Sequence, residues 1–418
     1  MYKLRKYDLY GANSITIKLN DNNHYEKKLF KLREAVNRLF FNHHFSKSMI
    51  SKKKRVSRNF VIKWTESPNQ DFTKDIRGWP KGKTRKYPEI TEGRIKRIHQ
   101  ELVKDLKVYF AGASAILQRW QELYPLLEPP NFRFIGRTLK KYNLSKKIQK
   151  GKNKGASKYL HYPEYSIHQL GESLLEIDFI GKKFIKGQTA PLNFIGFSLI
   201  NERKLKHFRR ISGETADNII RESERFFKNF EKPEVVKIDN GFAMAGVPLW
   251  PRVISKVPLW FLKEKITPIF TPPRKPWSQA SIEGANSVFS RKFWNRFDFK
   301  NISEVDERLN DFNNSYQWYL GYKRSNKNFQ KDNFIPKIYF IRKVHENPQT
   351  NKGFIELANE KISLPKSYIN FFTLGEWNLK EEFLYVYFEN EQKPQLIKKI
   401  PFKINQKSKE KLEKLLKN

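Results

Sequence analysis

The chain has 418 residues, with 82 Lys and Arg against 43 Asp and Glu and a formal net charge of +39. Self-repulsion on this scale destabilises a compact protein unless a polyanion binds it, so the charge favours a nucleic-acid partner. A biased composition rich in Lys, Asn, Ile and Phe is the alternative explanation. The absence of Cys excludes disulfides, zinc fingers and cysteine catalysis, and no apolar run approaches the ~20 residues of a membrane span, so we expect a cytoplasmic protein.

The first 75 residues are predicted to form a helix-turn-helix. Residues 26–42 carry apolar side chains at helical spacing, and a second helix is expected over about 57–65, after a short basic break. The second helix of such a unit enters the major groove of DNA, and Arg58 and Lys63 are its candidate contacts. An ordinary helical hairpin has the same pattern and stays an alternative.

A basic arm is predicted over residues 76–90. Its sequence RGWPKGKTRKYP is aromatic and broken by Gly and Pro, which suits an extended segment that follows phosphates or a minor groove. Lys81, Lys83 and Arg85 are the candidate contacts. A flexible linker is the alternative.

Residues 91–144 are predicted to form a second helix-turn-helix, made of three short helices. The third helix is basic and offers Arg137, Lys140 and Lys141 to DNA. Residues 145–168 are expected to be a basic linker, because the stretch 145–159 has six lysines and no acid.

From about residue 169 the pattern changes to apolar-rich strands. Strands are predicted at 174–184, 190–200, 204–211, 234–239 and 266–270, with helices at 213–230, 279–297 and 303–320. The first three strands suit an antiparallel arrangement, and the strand after a helix is expected to be parallel to its neighbour. This order predicts an α/β core over 169–342 with one mixed sheet.

Residues 343–418 are predicted to form a small β-barrel with a charged C-terminal tail. Short strands separated by turns, such as GFIEL, KISLP and LYVYFEN, are typical of a small barrel or sandwich. The last residues, SKEKLEKLLKN, have the composition of a charged helix.

Three carboxylates in the core stand out from apolar or basic surroundings. Asp178 lies on an apolar strand, where a charge is costly unless it is paired or bound to a cation. Asp239 ends the strand EVVKID, where open α/β sheets place their ligands. Glu283 lies early in a helix among Arg and Lys, which suits either a salt bridge or a metal ligand. Glu176 shares a strand face with Asp178 and is a rival to it.

If these carboxylates converge, they form an all-oxygen cluster, which suits Mg²⁺ or Mn²⁺. With a basic surround, the chemistry that fits is two-metal phosphoryl transfer.

The segments LLEIDFIG, KIDNGF and FTPPRKPWSQASIEGANSVFSRKF resemble the three catalytic blocks of the DDE transposases and retroviral-type integrases, especially bacterial insertion-sequence transposases with an integrase core. The resemblance implies a multidomain protein whose core has a ribonuclease-H-like fold. It also implies a catalytic and metal-binding triad of Asp178, Asp239 and Glu283 that holds two Mg²⁺, with Mn²⁺ as a substitute. The 43 residues between Asp239 and Glu283 exceed the usual family spacing, and we assign the surplus to an inserted loop in AMAGVPLWPRVISKVPLW.

The resemblance further implies an enzyme that binds double-stranded DNA at transposon ends, cuts the 3′ ends and joins them to target DNA. It implies a dimer or tetramer on DNA in the prokaryotic nucleoid, with accessory transposition proteins as further candidate partners and no membrane. The candidate DNA contacts beside the site are Trp277, Ser278, Asn286, Ser287, Arg291 and Lys292, for which a solvated helix face is the alternative. Two other functions stay open, a ribonuclease-H-like nuclease without strand transfer and a domesticated, non-catalytic DNA-binding protein.

Overall fold

A computed structural model of the chain describes residues 22–72, 86–145, 161–200, 204–246, 250–324 and 333–417. The chain divides into two compact units, Met1–Pro88 and Glu89–Asn418. The candidate contacts Lys81, Lys83 and Arg85 lie outside the described residues, as does most of the basic linker. Among the described helices, none is long and apolar enough to cross a bilayer.

The described residues of the first unit form three helices, α1 (Asn22–Phe41), α2 (Lys47–Lys54) and α3 (Arg58–Lys63). Val36, Ile50, Val61 and Trp64 form its buried cluster. Sequence reasoning expected a basic break before the last helix, but α2 continues to Lys54 and the break is confined to residues 55–57. The extra helix forms because a serine at each N-terminus caps α2 and α3. This packing does not by itself confirm a DNA-binding helix-turn-helix.

The second unit combines a large sheet with helices on both faces. Its helices are α4 (Glu89–Lys104), α5 (Ala113–Leu123), α6 (Phe132–Lys141), α7 (Glu164–His168), α8 (Ala216–Asn229), α9 (Phe242–Ala245), α10 (Lys256–Lys263), α11 (Ala280–Val288), α12 (Ile302–Leu320) and α13 (Gln406–Lys417). Its strands are β1 (Leu174–Lys183), β2 (Leu192–Ile200), β3 (Leu205–Ile211), β4 (Val235–Ile238), β5 (Thr267–Phe270), β6 (Lys337–Lys343), β7 (His345–Asn347), β8 (Lys352–Leu357), β9 (Glu360–Leu364), β10 (Phe372–Asn378), β11 (Phe383–Asn390) and β12 (Lys393–Pro401).

Nine of these strands form one sheet in the order β12-β11-β10-β6-β5-β4-β1-β2-β3, and β7, β8 and β9 form a second sheet. Strands β1 to β3 are antiparallel, whereas β4 is parallel to both β1 and β5. The mixed sheet predicted from the sequence is therefore present. Strand β4 is buried along its whole length, as expected for a parallel strand covered on both faces.

Two hydrophobic clusters lie on opposite faces of this sheet. One contains Ile219 and Phe226 of α8 together with residues of α10. The other joins α11 and α12 to α4, α5 and α6, as shown by Tyr109, whose ring packs edge-on against Phe312 at 5.1 Å. Helices α4 to α6 therefore share a core with α11, α12 and the central sheet.

The predicted C-terminal barrel is not confirmed. Strand β6 is bonded on one edge to β5 and on the other to β10, so β10, β11 and β12 continue the central sheet. The boundary predicted at residue 342 falls inside β6. Because β6 uses both edges in this way, the last strands extend the core sheet and only β7 to β9 form a sheet of their own.

The expected inserted loop also differs from the structure, because its described part contains helices α9 and α10. Val257, Phe261 and Leu262 of α10 are fully buried. Pro258 lies in the first turn of α10, where a missing N–H breaks no intrahelical bond. The part of the expected loop that lies in α10 is therefore packed in the core.

Candidate active site

Asp178 lies on β1 next to the end of β4. It pairs with Gly196 of β2, and Glu176 two residues earlier pairs with Lys237 of β4. Continuing this parallel register by two residues places Asp239 beside Asp178 at the carboxyl ends of the two strands. This edge is where open α/β sheets bind their ligands.

The turn that carries Asp239 is fixed by backbone and side-chain hydrogen bonds. The Gly241 N–H donates to Asp239 Oδ1 at 3.0 Å, and the Asn240 side chain donates to the Thr271 carbonyl at 2.6 Å. The Arg342 guanidinium donates to Asn240 Oδ1 at 2.9 Å and to the Thr271 carbonyl at 3.0 Å. Arg342 is buried, which lowers its pKa to about 10. Sequence reasoning missed Arg342, because it follows Asn240 by about a hundred residues and shares no local pattern with it.

Glu283 is exposed on the first turn of α11, while Ile282 and Ala285 face the core. The same helix reaches the sheet through Asn286, whose amide donates to Asp178 Oδ2 at 2.8 Å. Gly196 makes room for this approach, since a Cβ there would lie 3.1 Å from Asn286 Oδ1. One helix therefore carries Glu283 and also contacts Asp178.

Asp178 is affected by the charges of both other predicted carboxylates. Burial, then the charges of Asp239 and Glu283, raise the pKa of Asp178 to about 7, against an ordinary value of 3.8. Burial also raises the pKa of Asp239, opposed by the hydrogen bond from Gly241. Asp178 is thus close enough to both partners to be affected by their charges.

The cluster is open. Within the described ranges, no three acidic or histidine side chains converge tightly enough to enclose a metal ion. The donors are nevertheless all carboxylate oxygens, which hard cations such as Mg²⁺ and Mn²⁺ prefer. A divalent cation would also offset the repulsion that raises the pKa of Asp178. In donor chemistry and charge, these residues fit such a metal.

The two other acids weighed in the sequence have different partners. Glu176 is buried at 2 % exposure and accepts a hydrogen bond from the Ile282 N–H at 2.9 Å. Glu264 pairs with Lys232 at 2.7 Å, at the end of α10. Neither of these contacts involves Asp178, Asp239 or Glu283.

Two of the candidate DNA contacts beside the site take part in packing. The Trp277 ring is half-buried and packs edge-on against Tyr162 and Phe372, at 5.1 and 5.6 Å. Ser278 is buried, and its hydroxyl donates to the Lys275 carbonyl. Both residues shape the loop before α11.

The other candidates follow Glu283 along the chain. The Asn286 side chain is hydrogen-bonded to Asp178, whereas Ser287, Arg291 and Lys292 are exposed. Arg291 and Lys292 lie on a π-helical turn, residues 289–293, that continues α11. Single π turns of this kind are frequent at functional sites.

The candidate contacts in the helical regions are Arg58, Lys63, Arg137, Lys140 and Lys141. Arg58, Arg137 and Lys140 are exposed. The Lys63 ammonium lies 5.6 Å from the centre of the Trp64 ring, and Lys141 forms an ion pair with Glu92 at 2.7 Å. Lys141 is also exposed, but its ammonium is already paired with a carboxylate.

No protein-family model matches the chain, and no curated protein matches it. Among solved structures, the chain is similar to the catalytic core domain of BIV integrase, with 17% identity and a TM-score of 0.27 over 38% of this chain and 91% of that one. It is also similar to a simian T-cell lymphotropic virus intasome in complex with PP2A regulatory subunit B56 gamma, with 11% identity and a TM-score of 0.32 over 68% and 92%. A third is the mariner Mos1 paired end complex with Mg, with 10% identity and a TM-score of 0.15 over 68% and 97%. Likenesses at these scores establish nothing about the chemistry of this chain.

Proposed function

We propose that this protein is a DNA transposase or integrase that cuts the 3′ ends of a mobile element and joins them to target DNA. The observation that supports the proposal is that three carboxylates from separate elements lie around one edge of the sheet, where Asp178 is affected by the charges of the other two. Asp178 and Asp239 come from neighbouring parallel strands, and Glu283 comes from the helix that contacts Asp178. Acids so arranged in a chain of net charge +39 suit work on a phosphodiester.

Each residue of the site has a role in this proposal. Asp178, Asp239 and Glu283 would hold two Mg²⁺, which when bound activate the attacking oxygen and stabilise the leaving oxygen. Asn286 orients the Asp178 carboxylate through its amide. The exposed Ser287 and Arg291 follow Glu283 at helical spacing, and we assign them to contacts with the DNA backbone.

The remaining partners belong to the same proposal. The exposed Arg58, Arg137 and Lys140 are assigned to contacts with the element ends. The family resemblance implies that two ends are paired, so a dimer or tetramer on DNA is part of the proposal. Accessory transposition proteins would act with that assembly.

The test is incubation of the protein with labelled duplexes taken from the DNA that flanks its coding sequence, a target plasmid and Mg²⁺. We expect cut 3′ ends and joined products from the wild type, and end binding without products from Asp239→Asn. The matched control is Asp217→Asn, which changes a carboxylate exposed on α8. It should give products like the wild type.

The outcomes separate the rival functions. Tight binding of ends without joined products, in Mg²⁺ or Mn²⁺, would defeat the transposase proposal. Cut ends that are never joined would instead indicate a nuclease without strand transfer. Binding that is the sole activity, unchanged in Asp239→Asn, would indicate a non-catalytic DNA-binding protein.

A further inference from the structure

A row of buried polar side chains crosses four neighbouring strands beside the carboxylates. Lys206 of β3 pairs with Ser198 of β2, Ser198 pairs with Glu176 of β1, and Glu176 pairs with Lys237 of β4. Their exposures are 7 %, 0 %, 2 % and 7 % in that order. Three ionisable groups thus lie in line inside the protein.

The row runs parallel to the site. Asp178 follows Glu176 by two residues, and Asp239 follows Lys237 by two residues. Residues two apart on a strand share a face and lie about 6.6 Å apart. The buried row is therefore adjacent to the carboxylates on the face that α11 covers.

Glu176 and Lys237 bind the backbone at the start of α11. One Glu176 oxygen accepts from the Ile282 N–H at 2.9 Å, and the other lies 3.4 Å from the Lys237 ammonium. Lys237 donates in turn to the Ser278 carbonyl at 2.8 Å. A carboxylate on the first N–H groups of a helix satisfies donors that have no partner within the helix.

Lys206 makes a second attachment. Its ammonium donates to the hydroxyls of Ser198 and Ser281, and these two hydroxyls are 3.0 Å apart. Burial lowers the pKa of Lys206 to about 8, and the charge of Glu176 opposes that shift. Ser281 lies in the first turn of α11, so both ends of the row hold the same helix start.

A buried ionic row of this kind is a costly way to stabilise a core. Well-packed apolar side chains of similar volume often give equal or greater stability. Such a row does fix the relative position of the elements that it joins, because each hydrogen bond requires one donor to face one acceptor. Here the fixed element is the turn that presents Glu283, one residue after Ile282.

We propose that Glu176, Lys237 and Lys206 are positioning residues that fix the start of α11 on the sheet and thereby set the place of Glu283 relative to Asp178 and Asp239. The inference rests on the proposed metal-dependent function of those three acids. It assigns the row no contact with DNA or with the reacting atoms. Its effect is on the affinity of the acids for metal.

The test compares Glu176→Gln with the wild type and with Glu222→Gln. Glu222 is a matched control, because it is equally buried at 2 % exposure and pairs with arginines, but lies on α8. Two quantities are measured, the Mg²⁺ concentration that gives half-maximal end cutting and, without DNA, the dissociation constant for Mn²⁺ by calorimetry.

For Glu176→Gln we expect both constants to rise about 10- to 100-fold, the range seen when groups that orient metal ligands are removed. Cutting should recover at high Mg²⁺, and the affinity for DNA should not change. Glu222→Gln should lower thermal stability without moving either constant. If Glu176→Gln lowers stability and leaves both constants at wild-type values, the row is only structural and the inference is overturned.

A second variant keeps the test decisive if Glu176→Gln does not fold. Ser281→Ala retains all three charges and removes only the hydroxyl that attaches α11 to Lys206. It should shift both constants in the same direction by a smaller factor, and unchanged constants overturn the inference. A wild type that binds Mn²⁺ more tightly than these variants but yields no cut or joined DNA would contradict the proposed function and leave the positioning role standing.

Discussion

Replacing Asp178 by Asn should stabilise the metal-free protein at pH 8 while abolishing the proposed metal-dependent activity. Burial and the charges of Asp239 and Glu283 raise the pKa of Asp178 from 3.8 to about 7 in the folded protein. At 1.36 kcal/mol for each pKa unit, the ionised carboxylate therefore costs about 4 kcal/mol of folding free energy above pH 7. Asn removes that charge, and its side-chain oxygen can still accept the hydrogen bond from Asn286.

The sign of the pH dependence follows from proton uptake. Between about pH 4 and 7 the unfolded chain has lost the Asp178 proton while the folded protein keeps it, so wild-type stability falls as pH rises. Below pH 4 both states are protonated and Asp178 makes no difference. The stability gap between Asp178→Asn and the wild type should therefore be about 1.5 kcal/mol at pH 5 and about 4 kcal/mol at pH 8.

The assay is urea denaturation of both proteins at pH 5 and pH 8 with a chelator, repeated with excess Mg²⁺. Bound metal stabilises only the folded wild type, so Mg²⁺ should narrow the gap at pH 8. Asp217→Asn also removes a carboxylate but lies on the exposed surface of α8, and it is measured under the same conditions as a control. A wild type more stable than Asp178→Asn at pH 8 without metal, or a gap that does not grow with pH, would refute the reasoning.

Two further predictions concern other buried charges and bases. Arg342→Met should reduce the stability measured by urea denaturation by about 1–3 kcal/mol, because it leaves acceptors such as Asn240 Oδ1 without their donor. It should also slow end cutting, because the turn that carries Asp239 is no longer held. If the folded variant cuts at the wild-type rate, the turn has no role in catalysis. His207→Leu should make the folding stability less sensitive to acid. Burial, then the charge of Arg209, lower the pKa of His207 from 6.5 to about 3, so between these values only the unfolded state takes up a proton as pH falls. In the wild type this proton uptake lowers the folding stability by about 2 kcal/mol at pH 5. Denaturation of wild type and variant at pH 5 and pH 7.5 checks this, and equal pH dependence in the two proteins would contradict it.

The central strands were predictable because their apolar residues are dense and local. The runs around Asp178 and Asp239 gave the correct mixed sheet, since a short, fully apolar strand after a helix is typical of a parallel neighbour. The alternation of Glu176 with Asp178 correctly placed them on one face. The alternation could not tell which of the two acids lies in the site and which is buried. That depends on the contacts of Glu176 with Lys237 and Ile282, which are set by the register of β1 with β4 and by the position of α11.

Long-range partners account for the rest. The predicted barrel is not confirmed. Short alternating strands have the same sequence pattern whether they close into a barrel or extend a sheet, and here β6 pairs with both β5 and β10 and so joins the last strands to the central sheet. The prolines and tryptophans of residues 243–260 favour an inserted loop, although Val257 and Phe261 are four residues apart, the spacing of a buried helix stripe that continues beyond this segment. One local signal was available and unused. Glu176 comes two residues before Asp178, and Lys237 comes two residues before Asp239. The sequence alone therefore places opposite charges at matching positions on the two strands.

The position of β6 has a practical consequence for dissecting this protein. Arg342 of β6 holds the Asn240 turn, β10 is bonded to β6, and α13 packs against α10. Deletions that remove β10 and the residues after it would therefore expose the edge of β6 and loosen the turn that carries Asp239. Loss of activity in such truncations would not locate a separate C-terminal function, and point substitutions are the sound way to assign one.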